Sequence, residues 1–277
     1  MTVLLALGAA IFYGTGDFLG GSASRRAAPL AVLLVSTPIG LVALLAVAFA
    51  VPGTPTWMAL AWGTLAGLAG GIGLPLLYAA LAAGPMSVVA PVSALTSAVI
   101  PIGYALAIGE RLGAAVYVGI VLCLAAIAMV SLEKSDERGR VRAGRGALLA
   151  FAAGVGFGLF FVLVRHADPA SGMWPLVGSR AAAVVVAAVA VLVLGIRLSR
   201  DRGVLWLAIP AGLFDALGNL AYLLASRAGM LSLAAVITSL YPAVTVLLAR
   251  LVYSERLRRI QGLGLLVAGV GIVLLAA

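Results

Sequence analysis

Apolar residues run along this chain in long unbroken blocks, each bounded by charges, glycines or prolines. A bilayer is crossed by a helix of about 20 mostly apolar residues. The blocks therefore predict helices at 2–22, 30–51, 57–82, 86–108, 112–132, 146–165, 173–196, 203–226, 231–252 and 257–276. Continuous apolar runs exclude a membrane barrel, whose strands alternate apolar and polar positions in pieces of about ten residues. The expected class is an all-α integral membrane protein with ten transmembrane helices.

One segment interrupts the pattern. "EKSDERGRVRAGR", residues 133–145, is strongly polar and falls near the middle of the chain. It reads as a charged linker between a five-helix unit at 1–132 and a second at 146–277. Trp57, Trp174 and Trp206 stand at the starts of spans, where amphipathic rings anchor at the headgroup level.

The halves resemble each other. Moving residues 81–126 along by 145 positions places Ala83 on Ala228, Gly84 on Gly229, Ser87 on Ser232 and Gly119 on Gly264. The same shift lays the "ERL" of Glu110, Arg111 and Leu112 on that of Glu255, Arg256 and Leu257. A charged triplet recurring between two spans is informative in a composition where alanine and leucine matches are not. Five spans separate each element from its copy, so the copies face opposite sides of the membrane. Inverted repeats are an architecture of secondary transporters, with the binding site near the midplane where the repeats meet.

Composition agrees with the pattern: 64% of the residues are hydrophobic and 10% charged. A soluble domain carries about 25% charged residues, so too few ionic groups are present to cover a water-facing surface. The net charge of +9 adjoins no soluble domain and is not a nucleic-acid signal. Its arginines report topology instead. Loops after odd-numbered spans hold Arg25, Arg26, Lys134, Arg138, Arg140, Arg142, Arg145, Arg197, Arg200, Arg202, Arg256, Arg258 and Arg259, whereas loops after even-numbered spans hold Arg111, Arg165 and Arg227. That bias puts the odd loops in the cytoplasm and both termini outside. The start of the chain reads as a first span rather than a cleaved leader. Cys123, the single cysteine, reads as a buried structural thiol.

The stretch "FYGTGDFLGG", residues 12–21, sets Asp17 among glycines. A dinucleotide loop needs G-x-G-x-x-G between a strand and a helix. The spacing of Gly14, Gly16, Gly20 and Gly21 is wrong for it, and Lys134, the only lysine, is not preceded by the glycine of a phosphate loop. The segment instead reads as a tightly packed membrane helix bearing one acid.

Ionisable groups inside spans are costly and are by default functional candidates. Asp215 lies near the centre of the eighth span, with Asn219 and Tyr222 at i+4 and i+7, which puts the three on one face. Such a stripe needs a cavity or a polar partner. It also fits a structural hydrogen-bond knot between helices. Asp17, one turn beyond Tyr13, either serves function or reaches the interface near Arg25 and Arg26. Arg180, about two turns inside the seventh span, can hold a substrate carboxylate or neutralise Asp215 or Asp17. Thr96 sits with Ser93 and Ser97 between Pro91 and Pro101, and Thr238, Tyr241 and Thr245 surround Pro242. Their hydroxyls either satisfy carbonyls freed by proline or form a cavity wall with hinge points. Glu110 and Glu255 read as helix-end caps, and His166 as a solvated residue of a polar turn. No cofactor and no metal are expected, because no histidine–carboxylate cluster has ligand spacing and no span holds a lysine. An enzyme is not expected.

Ten short spans in two similar halves, with "GERL" (Gly109 to Leu112) and "SERL" (Ser254 to Leu257) entering the last helix of each, resemble the EamA branch of the drug/metabolite transporter superfamily. "SLYPAVTVLLARLVYSERL" before a glycine-rich last helix, and Arg180 opening the second span of the second half, are similar to that family's pattern. Ser36, Thr37 and Pro38 stand where the first half of the family often has an arginine. The resemblance implies a multi-pass carrier of the cell membrane, often an exporter of amino acids or other small metabolites. It implies alternating access around a cavity lined by the first, third and fourth helices of each half. By position Tyr13, Asp17, Thr96, Asp215, Asn219, Tyr222, Thr238 and Tyr241 face that cavity. The expected partners are the lipid bilayer, a small-molecule solute and a coupling proton, with no nucleic acid. A multidrug-cation exporter and a non-transporting membrane protein are the alternatives; 7% aromatic residues speaks modestly against the first.

Overall fold

The structure, a computed structural model, describes residues 1–83, 86–131, 143–198, 201–253 and 258–276. The described residues form α1 (Thr2–Ser24), α2 (Pro29–Ala50), α3 (Trp57–Ala83), α4 (Met86–Ala107), α5 (Ala114–Ser131), α6 (Ala143–Arg165), α7 (Trp174–Val193), α8 (Arg202–Ala228), α9 (Leu231–Thr238), α10 (Tyr241–Tyr253) and α11 (Arg259–Ala276). Taking α9 and α10 as one span, nine are long and apolar enough to cross a membrane, and α4 adds a shorter apolar stretch, Val92–Ala107. Apolar blocks become helices here because hydrocarbon offers no partner to a backbone N–H or C=O, so each segment must satisfy its own. Most of linker 133–145, and Glu255, lie outside the described residues.

Local chemistry sets the helix ends. Pro29 and Pro175 occupy the first turns of α2 and α7, where the missing N–H costs nothing. Asp201 caps α8 by accepting from Gly203 N at 2.8 Å. Gly109 stops α4 at φ +90°, a conformation that side chains other than glycine's rarely adopt.

The ninth span departs from expectation. It is predicted as one helix over 231–252, yet it breaks at Ser239 and Leu240, just before Pro242. Proline lacks the N–H that a continuing helix needs and suits the start of a new one.

Loop contacts sort the helix ends into two faces. At one, Thr54 N donates to Ala170 O, Arg227 to Gly172 O, and Glu110 accepts from Leu231 and Ser232, all from segments after even-numbered spans. At the other, Tyr253 donates to Ser22 and the Arg25 guanidinium lies 4.5 Å over the Tyr253 ring. The second face carries most of the arginines. Between the faces, α1 packs on α8, α3 on α6 and α7, α2 on α7 and α8, α4 on α6, and α5 on α11. These contacts are close because the facing residues are small. Gly67 of α3 lies against the backbone of Ser179, and Gly212 of α8 against that of Ser36. Dispersion between closely approached backbones drives association where lipid removes the hydrophobic gain. Trp57 and Trp206 are exposed at the ends of their helices, as interfacial anchors require, while Trp174 packs edge-on to Phe49 at 5.2 Å.

Candidate functional site

A cavity of about 480 Å³ opens among α1, α2, α3, α6, α7 and α8, with Ser97 of α4 and Tyr241 of α10 also on its wall. Its inner end lies within the bundle, at Tyr13, Phe161, Asn219 and Tyr241. From there the lining follows Asp17, Gly20, Gly21 and Ser24 down α1, Val32 and Pro29 toward the start of α2, and Leu74 and Leu77 toward the end of α3. All three paths lead to the arginine-rich face. The cavity therefore communicates with that face and stops near the middle of the bundle.

Three charged side chains line it: Asp17, Arg180 and Asp215. Arg180 of α7 donates to and is ion-paired with the Asp215 carboxylate of α8. Asn219, one turn on, donates to Asp215 O at 2.6 Å and reaches its carboxylate at 3.4 Å. Arg180 is nearly enclosed while Asp215 keeps 38% of its side chain exposed, so the acid presents the pair to the cavity. Asp17 is exposed to the same space, and no hydrogen bond or ion pair joins it to a described residue. Glycines make this room. Gly16 puts α1 against α8 at Ala211 and Asp215, and the ring of Tyr13 fills the space that a side chain at Gly218 would need. The Tyr13 hydroxyl is buried without a partner among the described residues, and its ring meets Phe161 at 6.4 Å and Tyr241 at 6.5 Å.

Six of the candidates thus come together: Tyr13, Asp17, Arg180, Asp215, Asn219 and Tyr241. Three lie elsewhere. Tyr222 is fully buried and donates to Phe161 O at 2.9 Å. Thr96 donates to Val92 O in its own helix at 2.7 Å. Thr238 is fully buried at the end of α9, its hydroxyl without a partner among the described residues. The reading of His166 as merely solvated is corrected. The residue is exposed, but one ring nitrogen bonds Tyr104 at 2.7 Å, the other Val162 O at 2.9 Å, and Trp62 lies beside the ring.

The cavity also holds residues that the sequence did not single out. Phe157, Phe160 and Phe161 line it from α6, and Ser179 precedes Arg180. With Tyr13 and Tyr241 they make five aromatic side chains on one wall system. The spacing of the phenylalanines along α6 is helical, but an apolar face in a membrane helix fits lipid equally well. Ser36 and Thr37, noted only where an arginine was missing, line the cavity beside Arg180 and donate to Leu33 O.

Comparison with known proteins follows the same lines. One solved crystal structure, titled only as that of a protein, superposes with a TM-score of 0.79 at 20% identity, over 99% of this chain and 95% of that one; it shows a shared fold. No match is found among curated proteins. The profile described as the EamA-like transporter family matches residues 1–132 and again 144–277. Its match over nearly the whole length makes this chain a multi-pass member of the EamA-like transporter family, within the drug/metabolite transporter superfamily.

Proposed function

We propose that the protein is a secondary active transporter of small polar metabolites, amino acids or related solutes, working by alternating access in the direction of export. The observation that carries this reading is a cavity reaching from mid-bundle to one face only, with an ion pair on its wall. A static polar knot would be packed shut. A pore would reach both faces. The two units, 1–132 and 146–277, act as inverted repeats. In support, the first helix of each half packs on the third of the other, α1 on α8 and α6 on α3, and the second helices, α2 and α7, do likewise with α8 and α3. The arginine-rich face lies in the cytoplasm of the cell membrane, so the cavity loads from inside. A proton is the proposed coupling ion, carried by Asp17 or Asp215.

The test is flux. Purified protein in liposomes would be offered pooled amino acids and common metabolites, with and without a pH gradient, and the contents read by mass spectrometry. Protein-dependent movement of particular solutes is expected; no movement with folded protein would overturn the reading. A second reading, export of organic cations, gains from the five aromatic side chains and from Asp17, which has no partner among the described residues. Movement of aromatic cations but of no amino acid would select it.

A further inference from the structure

The end of the bundle away from the cavity mouth is held by a carboxylate from the other half. The first N–H groups of a helix have no acceptor within it, and Met230, preceding α9, supplies no side-chain cap. Glu110 does so instead. Its carboxylate accepts from Leu231 N at 2.7 Å, Ser232 N at 3.3 Å and the Ser232 hydroxyl at 2.7 Å. A negative group at this position also suits the positive end of the helix dipole. Gly109, at φ +90°, turns the chain so that the acid ending α4 meets a helix more than a hundred residues later. The acid does cap a helix end, as its sequence suggests, but the helix belongs to the second half.

The helix it holds is the fixed part of a broken span. All eight residues of α9 are buried, whereas no residue of α10 is. Other bonds at this end, Arg165 to Ser226 O, Arg227 to Gly172 O and Tyr222 to Phe161 O, stay within the second half. Thr54 to Ala170 and Tyr104 to His166 cross between halves as single contacts. Glu110 makes three bonds across that divide with a charged acceptor, the stronger kind. Opening this end requires the halves to part there. A carboxylate at the membrane edge can be released to water and recaptured.

We propose that Glu110 is the latch of the sealed end: its bonds to α9 hold that end shut while the cavity faces the arginines, and they break when the cavity opens the other way. This rests on the alternating-access reading, but its test needs no solute. In a Cys123→Ala background, Ala183→Cys places a thiol on the half-buried cavity wall one turn from Arg180, and a charged, membrane-impermeant methanethiosulfonate is applied to oriented proteoliposomes from either face. With Glu110 intact, labelling is fast from the arginine-rich face and slow from the other. Glu110→Ala is expected to raise the rate from the sealed face about tenfold and lower it from the arginine-rich face, as a shifted population does. Glu110→Gln should lie between, and Ser232→Ala should shift both rates the same way by less. Parent rates from both faces in folded Glu110→Ala and Glu110→Gln protein would overturn the latch; if neither folds, parent rates in Ser232→Ala do so. Shifted labelling without flux of any solute would sustain the latch and overturn the carrier reading.

Discussion

Arg180 of α7 and Asp215 of α8, 35 residues apart in sequence, meet as an ion pair on the wall of a cavity that opens to one face of the bundle. Asn219 secures the acid from the next turn, and Gly40 leaves the space into which the guanidinium fits. Arg180 and Asp215 thus serve both the packing of α7 on α8's neighbours and the polarity of the cavity.

Breaking that pair should cost stability as well as transport. Removing one partner of a fully buried pair costs about 3–5 kcal/mol; the exposure of Asp215 reduces this to about 2 kcal/mol. Asp215→Asn is the more harmful change, since the nearly enclosed Arg180 guanidinium loses the group that offsets its charge and cannot give that charge up. Arg180→Gln in addition should restore part of the loss. Unfolding midpoints of the two single variants and the double variant in detergent form the thermodynamic cycle; strictly additive effects would show that the pair is not coupled.

Asp17 should separate stability from function. Its carboxylate makes no bond to a described residue, so Asp17→Asn is expected to change stability by less than about 0.5 kcal/mol. Flux of an amine-bearing solute should fall at least about tenfold, the loss of one charge-assisted contact. Unchanged flux in the proteoliposome assay would remove Asp17 from the site.

Tyr222 gives the reverse result. Tyr222→Phe deletes a buried hydrogen bond to Phe161 O and should cost about 1 kcal/mol in thermal unfolding. Because the side chain lies outside the cavity lining, KM for the transported solute should stay within about twofold of the parent. A large rise in KM would return Tyr222 to the binding residues.

The close helix seams predict a graded response to alanine. A Cβ at Gly67 or Gly212 would run into the backbone of Ser179 or Ser36, whereas one at Gly8 or Gly262 meets nothing within 4 Å. Gly67→Ala and Gly212→Ala should each destabilise by about 1–3 kcal/mol through overpacking. Gly8→Ala and Gly262→Ala should match or exceed the parent, since alanine is the better helix former. Equal midpoints for all four variants would contradict the seams.

The sequence by itself determined the spans, because a bilayer leaves a continuous apolar block no structure but a helix and signals each end with proline, glycine or charge. It also marked Asp17, Arg180, Asp215 and Asn219, because a charged or amide side chain within such a block is conspicuous. The tertiary structure decided what those groups meet. Tyr222 shares a helical face with Asp215, but two turns along α8 carry it past the inner end of the cavity to Phe161 O. Phe157, Phe160 and Phe161 could not be told from lipid-facing residues, since apolar side chains suit lipid and cavity alike and only the packing of α6 on α3 and α4 turns them inward. The reach of Glu110 to α9 was equally hidden. Its local sequence promised a cap, and only the approach of two helices remote in sequence chose which N-terminus the carboxylate would satisfy.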